Sequence, residues 1–506
     1  MHGIGDHGLI DPVEGVNASI ALHMYGGGNY LMARIGEALA AGTSMGTWWL
    51  MSFALKILGW GESSVRFFSA LAGLVMILAA ALANASKPDM SSRRSWLAAS
   101  ICAGTTLCFT VSQLASSHAL YSCFTALAFL GIVRSKESRD WLMLSHFAIA
   151  FAFIFHGPSG FFMPMLAVGI YCALTQDHEL LKDFFTWPAG IIINLLISGC
   201  YFSLLISYSP QTVYFMFFEN QSYTFGGIWG TIIFAFVGFA PFHGFFLQAI
   251  YEAVPKKFPV QKSSELFMLV WACVFFIAGL CSKDILTMAA SVPALSSLLG
   301  RKLDRWFRGR MDSLRYAVMF NILILVPVFF ILLPLTSRHF PVMSESLLSL
   351  VPYEITIGLF IFASWYYTKT KQITKWARNV PAAALICLMP AAGVFNLTAN
   401  VYSVRDIGLS LRGLVKGREA IIQDGLDFPS IYFYTLRNSV LVDVPESGMT
   451  PGVNEKKFAT NFSIIEQYWN RKSRVFLITP TYKNSVLPKN VYPVIESHKI
   501  LLLSNQ

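Results

Sequence analysis

The sequence predicts a mainly α, polytopic transmembrane protein with a small α/β domain at its C-terminal end. Three observations predict it. About a dozen long apolar runs lie between Val65 and Asn400. The chain is 55% hydrophobic and only 13% charged, where soluble domains carry about 25% charged residues. From Tyr402 onward the chain turns polar, with short β-rich runs set between Gly, Pro and charged stretches.

The apolar runs come first. Val65–Ala85, Trp96–Ser116, Trp187–Tyr208, Ile228–Ile250 and Tyr316–Leu335 are typical. Each is long enough for a hydrocarbon core, which takes roughly 20 helical residues. Only helices, with every backbone group paired internally, fill a bilayer at that length. Lys and Arg concentrate between the runs, and such residues mark the cytoplasmic loops. The clusters are Lys87/Arg93/Arg94, Arg134/Lys136/Arg139, Lys256/Lys257/Lys262, the stretch Arg301 to Arg315, and Lys369/Lys371/Lys375/Arg378. Ser209–Gly227 and Thr336–Pro352 are poor in Lys and Arg and fall on the outer side. A net charge of +10 therefore reflects topology, and nucleic acid is not an expected partner.

Gly46–Leu58 is apolar but too short to span. It is expected to be an interfacial or re-entrant helix on the outer face, which keeps Lys87–Arg94 inside. Twelve spans then divide the chain into an extracytoplasmic first loop (1–64), a transmembrane helical domain (65–401) and an extracytoplasmic α/β domain (402–506). The chain begins outside at Met1-His2-Gly3, so a thirteenth, first transmembrane helix is expected upstream. In the tail, Ser430–Tyr434, Ser439–Val444, Arg474–Pro480 and Lys499–Ser504 read as strands, and Ile464–Trp469 as a short helix.

Two pairs of short apolar segments close on tight outer tips. Trp141–Phe155 and Phe161–Leu174 flank His156-Gly157-Pro158-Ser159-Gly160. Glu265–Cys281 and Ile285–Leu299 flank Ser282-Lys283-Asp284. Polar residues at such tips are either simple turns or the lining of a cavity at the membrane surface. The eight cysteines lie in or beside apolar runs without a C-x-x-C pair, which suits small buried hydrophobes better than a disulfide framework or a metal site. No cofactor and no resident metal are expected.

Asp11-Pro12-Val13-Glu14-Gly15-Val16-Asn17-Ala18 and Gly28-Asn29-Tyr30-Leu31 open a series of motifs that runs the length of the chain. Trp48-Trp49-Leu50 and Ser64-Val65-Arg66-Phe67-Phe68-Ser69-Ala70-Leu71 follow. Then come His156-Gly157-Pro158, Phe217-Phe218-Glu219, Ser282-Lys283 and Pro293-Ala294-Leu295. Phe433-Tyr434 to Val442-Asp443 and Arg474-Val475-Phe476-Leu477 complete it. In order and spacing the series resembles GT-C membrane glycosyltransferases, notably the bacterial lipid A aminoarabinose transferases and protein O-mannosyltransferase-like proteins.

The resemblance implies an inner-membrane enzyme that moves a sugar from a polyprenyl-phosphate carrier to a lipid, glycan or protein acceptor on the outer face. It implies an outer-loop carboxylate as base and cations on the carrier phosphate. The residues left to fill these roles are Glu14 and Asp11 as carboxylates, Asp11 lying two residues before the family's position, with Lys283, His156, His118 and Glu219 as phosphate or acceptor contacts in an outer-face cavity.

Departures fall on the chemistry. Val13 stands where the family has Asp, Val16 where it has Arg, and Thr43-Ser44-Met45 where it has Lys-Pro-Pro. His118 replaces a second-loop Asp, His156 a Lys, and Thr287 a Tyr. Plainer roles stay open: a loop charge for Glu14, a helix-end residue for His118, a snorkelling lysine for Lys283.

Three functions compete. They are a polyprenyl-phosphate-dependent transferase, a non-catalytic relative assembling beside a partner glycosyltransferase, and a transporter. The third needs inverted repeats with broken midplane helices, and no such repeat is seen. No Gly-rich nucleotide fingerprint appears either. Expected partners are the polyprenyl-phosphate sugar donor and membrane lipid.

Overall fold

The computed structural model describes residues 4–35, 38–40, 45–85, 92–218, 235, 237–256, 260–282, 284–339, 347–370, 402–417, 419–442, 453–454, 462–470, 473–480, 491–497 and 500–506, with short pieces between 372 and 388. Lys283 and Glu219 lie outside the described residues, as do Thr43, Ser44, Lys87, Lys257, Lys371 and Arg378. The chain forms two compact units. One comprises Met1–Phe67, Tyr208–Phe215 and Phe395–Gln506; the other comprises Phe68–Ser207 and Met216–Val394.

The second unit is helical. Five described helices are long and apolar enough to cross a membrane: Glu62–Leu82, Ser117–Arg134, Pro158–Thr175, Pro188–Tyr208 and Ser264–Ser282. The protein is thus a multi-pass membrane protein. The remaining expected spans are accounted for differently. Trp141–Phe155 forms the shorter helix Asp140–His156. Met311–His339 and Leu347–Lys369 are long helices, and 219–234 and 389–401 lie outside the described residues.

Trp96–Ser116 corrects a simple reading. It is two helices, Arg93–Gly104 and Thr106–Gln113, bent by 61°. Thr105 leaves the helical region at ψ 125°, and Thr106 donates its amide to the Ala240 carbonyl at 3.1 Å instead. Arg301–Gly309, expected in a basic loop, is the C-terminal half of the helix Val292–Gly309. Its register is set by buried Asp304, which accepts Nε bonds from Arg93 at 2.8 Å and Arg94 at 2.9 Å. Those bonds pull the Asp304 carboxyl below its ordinary range, although burial opposes them. Aromatic packing joins the helices inside: Phe129 lies 5.9 Å from Phe267 and 5.6 Å from Trp271. The described cysteines are all free thiols. Cys102, Cys108, Cys123 and Cys172 are buried, while Cys200, Cys273 and Cys281 face outward.

In the first unit the tail forms a five-stranded sheet in the order β4-β3-β6-β8-β7. These strands are β3 (Ala420–Asp424), β4 (Ser439–Val442), β6 (Val475–Pro480), β7 (Tyr492–Ser497) and β8 (Ile500–Ser504). β3 pairs in parallel with both β4 and β6, while β8 pairs antiparallel with β6 and β7. Period-2 alternation sends Ile421, Phe476, Ile478, Ile500 and Leu502 to one face, under Ile407, Leu411 and Ile431. Ile422, Val475, Leu477, Leu501 and Leu503 go to the other, under Ile465 and Trp469. With both faces covered, Val475–Ile478 of β6 and Ile500–Leu503 of β8 are continuous apolar runs. A smaller sheet joins β1 (Arg34–Ile35), β2 (Ala38–Ala40) and β5 (Val453–Asn454).

Ser430–Tyr434, expected as a strand, is instead the helix Ser430–Thr435. Pro429 presets a helical φ of −59°. Leu436 ends the helix in the left-handed region, at φ 58°. Tertiary packing overrides the β-rich composition here.

Candidate active site

Glu14 sits in the first turn of the helix Val13–Tyr25, where the helix dipole favours a carboxylate. Its Oε2 accepts from the Ile10 amide at 2.9 Å. Arg66, from the helix Glu62–Leu82, donates Nε to Glu14 Oε1 at 2.8 Å and Nη2 to Oε2 at 2.6 Å. Both side chains have no exposed surface. The remaining guanidinium bonds go to the carbonyls of Ile4 and His7 from Nη1, and of Gly8 from Nη2, each at 2.9 Å. All five N–H donors of an arginine are thereby used. The segment Ile4–Glu14 is wrapped around one guanidinium, and Glu14 orients that loop.

Asp11 is buried beside it. Its carboxyl accepts from the Ser430 amide at 3.0 Å and pairs with the Ser430 hydroxyl. Burial holds this carboxyl well above its ordinary range, against the lowering effect of the Ser430 bonds. The close approach depends on Gly15. A methyl there would collide with Asp11 Oδ1 and lie 2.8 Å from the Ser430 nitrogen. Above the pair, the Leu9 amide donates to the Tyr434 hydroxyl at 2.9 Å, and Arg405 Nε lies 3.1 Å from Glu62.

His118 and His156 belong to the other unit, and the structure brings them together. His118 is the second residue of Ser117–Arg134, and His156 the last of Asp140–His156. Gly157 turns the chain at φ 67°, a conformation glycine adopts without a Cβ penalty. The two imidazole rings are 5.2 Å apart, and Tyr121 covers His156 at 4.3 Å. Asp284 completes the group, its Oδ2 lying 3.5 Å from His118 Nε2. Asp284 also caps the short 3-10 helix Ile285–Ser291, accepting from the Leu286 amide at 3.1 Å and the Thr287 hydroxyl at 3.0 Å.

Sequence reasoning missed two of these partners. Arg66 lies within one of the family-like motifs, and an arginine at the mouth of an apolar run is a signal in itself. Asp284 lies beside the more conspicuous Lys283 in the sequence, with no local pattern to single it out. Val13 is the first residue of the helix after Pro12, and Val16 is buried on that helix, so neither position offers a proton or a charge.

Apolar helices together with a small C-terminal α/β unit are the elements of the GT-C class of membrane glycosyltransferases, and the chain has that fold. The fold is similar to ArnT from Cupriavidus metallidurans in its apo state, with a TM-score of 0.79 at 17% identity, covering 99% of this chain and 95% of that one. The same protein bound to undecaprenyl phosphate matches with a TM-score of 0.79 at 16% identity, over the same shares. Residues 43–202 match the family model described as dolichyl-phosphate-mannose-protein mannosyltransferase. A protein of Aquifex aeolicus, described as uncharacterized, is 23% identical over 382 residues, 72% of this chain and 74% of the relative. The resemblance drawn from the motif series is borne out.

Proposed function

We propose that the chain is a GT-C glycosyltransferase of the inner membrane. It takes a sugar from a polyprenyl-phosphate carrier and passes it to a lipid, glycan or protein acceptor on the outer face, where residues 402–506 also lie. The observation that carries this reading is likeness over 99% of the chain to a protein solved with undecaprenyl phosphate bound. In the reaction an acceptor atom attacks the sugar's anomeric carbon, the carbon–oxygen bond to the carrier phosphate breaks, and the acceptor proton goes to a base. Asp11 is the proposed base, as the carboxyl carried by the first loop beside Ser430, and Glu14 holds that loop through Arg66. His118 and His156 are proposed contacts for the carrier phosphate. On sequence grounds Lys283 is its cation and Glu219 an acceptor contact.

One observation favours a second reading, a non-catalytic relative acting beside a partner glycosyltransferase. Glu14 is closed into the Arg66 pair, and Val13 and Val16 cannot replace it. A transfer assay in proteoliposomes separates the two. With labelled polyprenyl-phosphate sugars, the expected result is time-dependent transfer that falls about 10²–10⁴-fold in Asp11→Asn, compared at a temperature where melting curves show both proteins folded. Undiminished transfer in Asp11→Asn contradicts the assigned base. Binding of the donor without transfer supports the second reading.

A further inference from the structure

We propose that His118, His156 and Asp284 bind a divalent transition-metal ion of the zinc type. Three separate elements deliver these side chains to one point, and one donor atom from each lies within 4.8 Å of the others. A four-coordinate ion holds nitrogen and oxygen donors at roughly 2.0–2.2 Å, which places neighbouring donors roughly 3.5 Å apart. The His118–Asp284 pair is already at 3.5 Å, so small rotations of His156 complete the set. Two imidazoles and a carboxylate suit zinc, iron or manganese, whereas magnesium and calcium prefer all-oxygen shells.

A second, independent observation points to a ligand. Nδ1 of His156 is buried with no hydrogen-bond partner. Leaving a buried polar atom unpaired costs about 1–3 kcal/mol, and native proteins rarely do so without a bound group or a functional reason. His118 is only 7% exposed, the Tyr121 ring lies 4.3 Å from His156, and Phe275 lies 6.1 Å from Tyr121. Three protein ligands leave the fourth position open to an anionic oxygen. A simple imidazole–carboxylate ion pair accounts for His118 and Asp284 but gives His156 nothing to do.

The test needs neither donor nor acceptor, so its failure is distinct from failure of the transfer reading. The full-length protein in detergent is stripped with chelator and titrated with Zn²⁺, and with Co²⁺ as a spectroscopic probe. Metal content and thermal melting are then measured. The expected result is one equivalent per chain, a raised melting temperature, and a tetrahedral Co²⁺ spectrum unaffected by excess Mg²⁺. Asp284→Asn and His118→Ala should each weaken binding at least about tenfold. His156→Gln, which keeps most of the ring's volume against Tyr121, serves where the alanine variant fails to fold. Substoichiometric binding, or full affinity retained in both Asp284→Asn and His118→Ala, overturns the proposal.

Discussion

Glu14→Gln is expected to lower folding stability by about 3–5 kcal/mol, because it leaves the Arg66 guanidinium buried without its counter-charge. The ion pair has no exposed surface, so solvent cannot take over the lost interaction. Arg66→Met should cost a similar amount by stranding Glu14. The double variant Glu14→Gln with Arg66→Met should cost less than the sum of the two, since neither charge is then left alone. Thermal or denaturant unfolding of the four proteins in detergent measures this. A Glu14→Gln protein within about 1 kcal/mol of the parent contradicts a decisive role for the pair. Loss of activity in Glu14→Gln is therefore informative only beside its melting curve.

Phe476→Ala is expected to cost about 3–5 kcal/mol, the usual range for emptying a buried aromatic position. Phe476 is fully buried at the centre of the face shared by Ile407, Leu411, Ile421 and Ile431. Its strand is the middle of the five, hydrogen-bonded on both edges. The first loop should respond too, since Leu9 and Asp11 bond to Tyr434 and Ser430 in the same unit. Limited proteolysis should cut both the tail and residues 4–12 faster in the variant. Unchanged cleavage of the first loop with a loosened tail would separate the two segments.

The fold was legible where burial is uniform. Bilayer helices and fully covered strands both write themselves as unbroken apolar runs, so Ser264–Ser282 and β6 stood out. Interruptions were not legible. Thr105 breaks a run of spanning length because Ala240, over a hundred residues away, offers a carbonyl to Thr106. Ser430–Tyr434 has strand composition but a helical start set by Pro429 and the Asp11 carboxyl. β3 was missed because five residues with only two buried aliphatics carry little signal alone.

The site shows the same division. His118 and His156 were found from the tight tip and the family spacing, yet their meeting with Asp284 needed three chain segments in place. The partner of Glu14 lies 52 residues away, beyond any local pattern, so its closed ion pair could not be read in advance.

Binding of undecaprenyl phosphate to the purified protein tests the central claim most directly. Saturable binding is expected to raise the melting temperature, with stabilisation of about 2.7 kcal/mol once ligand reaches a hundred times its dissociation constant. The corresponding prenyl alcohol, which lacks the phosphate, should bind far more weakly. Equal effects of the phosphate and the alcohol, or no saturable binding of either, would contradict a site built for a polyprenyl-phosphate carrier.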